Sequence, residues 1–188
     1  MANDTAQRVL DVAEQLVQTR GYNGFSYADI AQALHVTKAS LHYHFPAKAD
    51  LGARLIERYE RNFLAALGRI DAQAKGAPEK LRRYAAIYEA VLRAGRMCLC
   101  GMLAAEFGTL PDGMRADMRH FFDENERWLK GVLQQGKREG TLAFAGSAAG
   151  AAQALIGALE GAMMIARSYG DVDRFHAASE RALKELGA

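Results

Sequence analysis

Residues 25–51 read FSYADIAQALHVTKASLHYHFPAKADL and contain two short helix signals separated by a tight turn. Ser26 is followed three residues later by Asp29, which is the capping-box pattern that starts a helix. Thr37 has the same N-cap character and begins a second short helix over residues 38–44. Two short helices joined by a turn of three or four residues predict a helix-turn-helix motif.

The outward side of the second helix is polar and small enough to enter a major groove. Hydroxyl, ammonium, imidazole and phenol groups can donate to phosphates and to base edges. These side chains belong to Thr37, Lys38, Ser40, His42, Tyr43 and His44. Lys48 starts the next helix, where its ammonium and the helix N-terminal amides are expected to hold one phosphate.

Two other interpretations of this segment compete with a nucleic-acid reader. The pattern also fits two short surface helices of an ordinary bundle. A metal site built from His35, His42 and His44 is disfavoured, because no carboxylate or thiol joins them at ligand spacing. We expect Phe45 to pack between the second helix and the core rather than to contact DNA.

The rest of the chain has helical patterns throughout. Its three prolines, Pro46, Pro78 and Pro111, fall where one pattern ends and another begins. The first helix is expected over residues 5–20 and a long helix extends to about residue 74. Further helices are expected over residues 78–94, 98–108, 112–138, 147–168 and 172–186.

Composition excludes several classes of protein and leaves the partner open. The 188 residues are 50% hydrophobic and carry a net charge of +2, so wholesale disorder is excluded. Two cysteines do not make a disulfide framework, and we see neither a secretory signal nor an unbroken membrane-spanning run. We therefore expect a cytoplasmic protein without a membrane partner, and only local motifs can indicate nucleic-acid binding.

The segments Gly21-Tyr22, 25–31 and 36–51 closely resemble the DNA-binding domain of TetR-family transcriptional repressors. The resemblance covers about the first sixty residues. It implies an all-α fold in which an N-terminal three-helix helix-turn-helix domain, residues 1–50, is joined by a long helix to a C-terminal effector-binding and dimerisation bundle, residues 51–188. By motif position, Tyr27 and Thr37 would contact the operator near the helix starts. Lys38, Ser40, His42, Tyr43 and His44 would form the recognition helix, with Lys48 on a phosphate. His42 stands where the family usually has tyrosine, and Ala39 is often glycine.

Small residues recur every four positions between residues 146 and 166. A smooth helix face lets another helix approach closely, so this segment is interpreted as a dimer interface, with residues 172–186 as its partner helix. A core helix within one chain is the alternative. The proposed interface residues are Gly150, Ala154, Leu155, Ala158, Leu159 and Ala162.

Soft and aromatic side chains in the C-terminal part could line an apolar cavity for a small hydrophobic or aromatic effector. The candidates are Tyr84, Tyr88, Met97, Cys100, Leu103, Phe107, Phe121, Trp128 and Met163. Ordinary core packing is the alternative for each of them. Glu106 and Arg96 are the candidate charges that face such a cavity.

Two further alternatives concern chemistry. A thiol-based sensor through Cys98 or Cys100 is possible in principle, but residues two apart on a helix point away from each other, and free cysteines are usually packing residues. An enzyme or carrier using the same cavity is the other rival, although the chain has no nucleophile elbow, phosphate loop or HExxH pattern. The preferred hypothesis is a homodimeric, ligand-responsive repressor of a palindromic operator, without catalytic residues, metal or cofactor.

Overall fold

The computed structural model describes residues 2–188, with side chains from residue 4 onward. Within these residues the fold consists of nine α-helices and one short 3-10 turn, without strands. The all-α prediction is therefore confirmed. The helices are α1 Ala2–Arg20, α2 Tyr27–Leu34, α3 Lys38–His44, α4 Lys48–Gln73, α5 Ala77–Arg93, α6 Leu99–Ala105, α7 Asp112–Arg138, α8 Ala148–Tyr169 and α9 Val172–Glu185.

Local capping sets the boundaries of α2 and α3, as the sequence predicts. The Ala28 backbone N–H donates to Ser26 Oγ at 3.2 Å, and the Ser26 N–H donates to Asp29 Oδ2 at 2.7 Å. Thr37 Oγ1 accepts from the Ser40 N–H at 3.3 Å at the start of α3. Between the two helices His35 has φ 54°, a left-handed conformation that ends α2 abruptly.

The predicted sixth helix is shorter in the structure. α6 ends at Ala105, and the chain continues through a 3-10 turn, Phe107–Thr109. The Arg115 guanidinium of α7 donates to the carbonyls of Phe107 and Gly108, both at 3.0 Å. These bonds give two carbonyls at the end of this segment a side-chain donor.

The described residues form two compact units. Their boundaries differ from the prediction, which placed a single domain boundary after residue 50. Unit 1 contains residues 2–62 and 98–121, and unit 2 contains residues 63–97 and 122–188. The helix-turn-helix therefore belongs to the same unit as α6 and the start of α7. The predicted domain boundary falls inside α4, and so does the boundary between the units.

Each unit has its own apolar core. In unit 1, Ala13 of α1, Ile30 of α2 and Leu41 of α3 are fully buried together with Leu55 of α4. In unit 2, α8 packs on α9, and both also contact α5. Its fully buried side chains include Leu81, Tyr84, Leu129, Leu159, Met163 and Phe175. Phe45 is 6% exposed and packs in the core of unit 1, as predicted.

α8 is unusually apolar for a helix of which so little is covered. It is the one helix among residues 2–188 that is long and apolar enough to cross a membrane, by length and composition only. Only 28% of its most apolar stretch is buried. Glu160 and Gln153 interrupt the run, which is why the sequence shows no unbroken apolar span.

Candidate functional site

The second helix of the motif presents a continuous polar surface. Lys38, His42 and Tyr43 are exposed, and Ser40 and His44 are half-buried beside them. Tyr43 is 80% exposed, although it is a large aromatic side chain, whereas Leu41 between these residues is fully buried. Leu41 packs the inner side of α3 into the core, so the outer side is exposed and can contact a partner.

Tyr27 lies on the inside of this surface, which differs from its expected role as an operator contact. It is 9% exposed, and its hydroxyl donates to the Phe45 carbonyl at 2.7 Å. Burial, with the nearby Asp50 charge, raises the pKa of the Tyr27 phenol to about 12. The hydroxyl is therefore occupied within the protein, and Tyr27 supports the end of α3.

Replacing Tyr27 by phenylalanine tests this supporting role. We expect Tyr27→Phe to lower the free energy of unfolding at pH 8 by about 1 kcal/mol, because the Phe45 carbonyl loses its donor. The raised pKa keeps the folded phenol neutral, so the wild type loses stability as pH rises from about 10 to about 12. The variant should lose less over this range, as measured by urea unfolding at pH 8 and 11. An equal alkaline loss in both proteins would contradict the assignment.

Lys48 is turned inward as well. Its ammonium donates to the Tyr22 carbonyl at 2.6 Å and to the Phe25 carbonyl, and it lies 4.2 Å from the centre of the Phe25 ring. Desolvation lowers the pKa of this ammonium. Two of the three ammonium hydrogens of Lys48 thus donate to the loop between α1 and α2. The expected role was a contact with a DNA phosphate, and the ammonium is turned to this loop instead.

A groove of about 360 Å³ runs between the start of α2 and α3. Its lining residues are Phe25, Ser26, Tyr27, Ala28, Lys38, His42 and Lys48. Lys38 and Lys48 make one side cationic, and the N-terminus of α2 adds backbone N–H groups. Hydrogen bonds from Ser26 hold the pKa of the Asp29 carboxyl below its usual range, so a negative charge is also present there.

The loop between α1 and α2 is held by Glu106, which follows α6. The Tyr22 and Asn23 backbone N–H groups donate to its two carboxylate oxygens at 2.5 and 3.1 Å. Asn23 Nδ2 also donates to Thr109 Oγ1 at 2.7 Å. Gly21 permits this approach, because a Cβ there would lie 2.9 Å from Glu106 Oε1 and its φ is +84°. Glu106 was one of two candidate charges for an effector cavity, and its carboxylate caps the loop that precedes the helix-turn-helix motif.

A second link, between residues that are 44 and 47 positions apart in the chain, ties α1 to α4. The Arg58 guanidinium donates to Asp11 Oδ1 and to Glu14 Oε2, both at 2.6 Å. The Arg58 side chain is only 9% exposed. Its two anions stand one turn apart on α1, which is the only local signal for this contact. The pair fixes the orientation of the helix that precedes the motif.

The predicted interface residues of α8 divide between two sides of the helix. Gly150, Ala154 and Ala158 are exposed and Ala162 is half-buried. Leu155 and Leu159 are 3% and 0% exposed and belong to the core of their own chain. These two leucines are therefore corrected to core residues, since a side chain filled by its own bundle cannot cover a partner.

Larger apolar residues that the sequence reasoning missed extend the exposed side of α8. Met164 and Ile165 are each 56% exposed and Tyr169 is 65% exposed. A groove of about 440 Å³ borders this side. It is lined by Phe144, Ala145, Gly150, Ala151, Ala154, Leu155, Ala158, Ala182, Glu185 and Leu186. We call the exposed residues Gly150, Ala154, Gly157, Ala158, Gly161, Ile165 and Tyr169 the α8 face.

Three of the predicted effector residues meet in unit 2. The Tyr84 hydroxyl lies 3.0 Å from the Tyr88 hydroxyl and donates to Asn125 Oδ1 at 3.2 Å. The Tyr84 ring stacks on Trp128 at 5.6 Å, and the Trp128 indole N–H donates to Asp71 Oδ2 at 2.8 Å. Met97 and Met163 are buried elsewhere in the same unit.

The other four predicted effector residues lie in unit 1, so the nine do not form one cluster within either unit. Cys100, Leu103 and Phe121 are buried there. Phe107 is half-buried, with the guanidinium carbons of Arg115 and Arg119 at 5.2 and 4.9 Å from its ring centre. Cation–π contacts thus occupy the face of the Phe107 ring.

Neither Cys98 nor Cys100 forms a disulfide, and both are buried, at 2% and 0% exposure. The Cys98 sulfur accepts from the Gly101 N–H at 3.5 Å and from the Tyr59 hydroxyl at 3.7 Å. This burial favours packing over reaction with a reagent in solution. Among residues 4–188 no three histidine, cysteine or acidic side chains are grouped as a metal site.

Comparison with known proteins covers both parts of the chain. Residues 9–55 match the family described as bacterial regulatory proteins, tetR family, and residues 77–182 match the tetracyclin repressor-like C-terminal domain. The structure is similar to that of a transcriptional regulator of the TetR family from Agrobacterium tumefaciens, with a TM-score of 0.96, 32% identity and 100% of both chains covered.

Two curated relatives match over shorter stretches. Transcriptional regulator AcuR of Cereibacter sphaeroides is 37% identical over 101 residues, which are 52% of this chain and 46% of that protein. HTH-type transcriptional repressor DhaR of a Mycobacterium species is 29% identical over 126 residues, 66% of this chain and 61% of that protein. The matched stretches thus span about half to three fifths of these relatives.

Proposed function

The chain belongs to the tetR family of bacterial regulatory proteins and is a DNA-binding transcriptional regulator, not an enzyme; from this premise we propose that it is a homodimeric repressor of a palindromic operator, released by a small hydrophobic or aromatic effector. The observation that carries the proposal is the outer surface of α3, where Tyr43 is 80% exposed among cationic and hydrogen-bonding side chains. Its site of action is the cytoplasm, where bacterial operators lie.

Recognition by α3 would combine phosphate and base contacts. Lys38 and the N-terminus of α2 supply positive potential for the phosphate backbone. His42, Tyr43 and His44 supply rings and polar atoms for base edges and sugars. Tyr27 supports the end of α3 through its bond to the Phe45 carbonyl, and Lys48 supports the loop before α2 through its bond to the Tyr22 carbonyl.

A dimer would supply the two recognition helices that a palindromic operator requires. One seven-residue helix contacts few base pairs, whereas two related by a two-fold axis read successive major grooves of a palindromic site. The α8 face supports this assembly, because it is an exposed apolar surface of small and large residues on one helix. A second copy of the same face would cover it.

Effector response would use a shift between two conformations of the bundle. In unit 2 the Tyr84, Tyr88 and Asn125 hydrogen bonds form a buried polar group beside aromatic rings, which could anchor one polar atom of an otherwise apolar ligand. In unit 1 the Glu106 carboxylate connects the end of α6 to the loop before the motif. A movement of α6 would therefore reposition the helix-turn-helix motif.

The test of operator binding is a selection from a random DNA pool followed by the variant Tyr43→Ala. We expect a palindromic consensus, and we expect Tyr43→Ala to weaken binding to it by about 5- to 10-fold, because a half-site loses a stacking or base contact. Tyr43→Phe separates the ring from its hydroxyl. Affinities are measured by fluorescence anisotropy over a salt series. No enriched sequence even at low salt, or full affinity in Tyr43→Ala, would overturn the proposal.

A further inference from the structure

The imidazole of His42 is held in one orientation on α3. Its Nδ1 lies 3.0 Å from the Pro46 carbonyl oxygen. Its ring packs on the Tyr27 ring, with centres 4.7 Å apart and planes at 50°. Tyr27 is itself fixed by the bond from its hydroxyl to the Phe45 carbonyl. The imidazole of an exposed residue is thus positioned by two neighbours on the protein side.

The Pro46 contact determines which ring nitrogen carries hydrogen. A carbonyl oxygen only accepts, so Nδ1 must be the donor in this bond. In the neutral ring Nε2 then has a lone pair and no hydrogen, and it can only accept. Nε2 is the ring nitrogen that the Pro46 contact leaves for a partner, and His42 is exposed like Tyr43 and Lys38 on the same helix. A tyrosine hydroxyl, common at this position in the family, would both donate and accept.

We propose that His42 is a specificity-determining residue, which accepts a hydrogen bond through Nε2 from the amino group of a cytosine or an adenine in the operator. This inference rests on the proposed DNA-binding role of α3. The N4 amino group of cytosine and the N6 amino group of adenine are the donors that base edges present in the major groove. Guanine and thymine present acceptors there, so they are rejected at the base that faces Nε2.

The tautomer is tested without DNA. Long-range ¹H–¹⁵N correlation spectra of the ¹⁵N-labelled full chain at pH 8 distinguish an Nδ1–H from an Nε2–H imidazole, and His42→Gln assigns the signals. We expect the Nδ1–H form for His42. An Nε2–H form, or a ring with hydrogen on both nitrogens, would overturn the proposal whatever the protein binds.

The base contact is tested on the operator obtained by random-pool selection. We expect one base pair to be preferred at one symmetry-related pair of positions, with its cytosine or adenine on the strand that faces Nε2, and His42→Ala should lose this preference while it keeps the others. Replacing that base by an analogue without the amino group, 2-pyrimidinone for cytosine or purine for adenine, should weaken wild-type binding by about 3- to 10-fold, as one hydrogen bond is lost. His42→Ala should bind both operators equally.

His44→Ala is the matched control, because it removes another imidazole from the same helix. Its affinity can change, but the dependence on the amino group should remain. The same penalty from the analogue in wild type and in His42→Ala, or the absence of any position at which His42→Ala relaxes the preference, would overturn the proposal. If the wild type enriches no sequence, the proposed DNA-binding role fails and the base contact fails with it. The tautomer experiment does not use DNA, so it distinguishes this outcome from a wrong assignment of the His42 ring.

Discussion

Ala158→Arg is expected to convert the dimer to monomers and to weaken operator binding by about 100-fold or more. Ala158 lies at the centre of the α8 face and is exposed in the single chain, so arginine should be tolerated by the isolated fold. In the assembled interface two such charges would face each other across an apolar surface and would lose their hydration. Separated monomers lose the second half-site, and linked binding sites commonly gain 10²- to 10⁴-fold in avidity.

The matched control for this variant is Ala86→Arg on α5. Ala86 is also an exposed alanine of a helix in unit 2, but it lies outside the α8 face. We expect Ala86→Arg to remain dimeric and to bind the operator normally. Sedimentation velocity gives the oligomeric state, and fluorescence anisotropy gives the affinity for the operator. If Ala158→Arg stays dimeric, the α8 face is not the interface.

Glu106→Ala is expected to lower the free energy of unfolding by about 1–2 kcal/mol and to weaken operator binding. The substitution removes the acceptor of the Tyr22 and Asn23 backbone N–H groups. The partly buried Tyr22 N–H costs about 1 kcal/mol or more when it loses its partner, whereas the exposed Asn23 N–H can bind water and costs less. The loop between α1 and α2 then has fewer contacts with the end of α6, so the reading motif is held less firmly.

Glu106→Gln is the control, because it preserves the size of the side chain. Its amide oxygen can still accept one of the two N–H groups, whereas its NH₂ group cannot accept the other. We therefore expect an intermediate loss of stability in urea unfolding. Wild-type stability and affinity in both variants would show that the carboxylate does not position the loop.

The local elements of this fold could be predicted because their signals lie within a few residues of one another. Ser26 and Asp29 stand one helical turn apart, so the sequence alone predicts the capping box that the structure contains. The apolar residue Leu41 among polar neighbours likewise separates the inner side of α3 from its outer side. The resemblance to the TetR family then supplied the DNA-binding role.

Side-chain direction inside the site was less predictable. Tyr27 and Lys48 have the residue types of DNA contacts, but backbone carbonyls brought close by folding satisfy their donors instead. On α8 the repeat of small residues indicated a helix contact, and it did not separate the exposed Ala158 from the buried Leu159. The difference depends on where α5 and α9 pack against α8, and these are tertiary contacts.

The sequence by itself determined the helices, their caps and the family, since hydrophobic period, capping and motif spacing act over short distances along the chain. Only the tertiary structure showed that Glu106 caps the loop of Tyr22 and Asn23, more than eighty residues away, and that Arg58 joins α4 to α1. Such contacts form between groups that folding brings together. In the sequence alone, each of these charged residues looks like an ordinary surface residue. Their position in space, rather than their order in the chain, gives them their role.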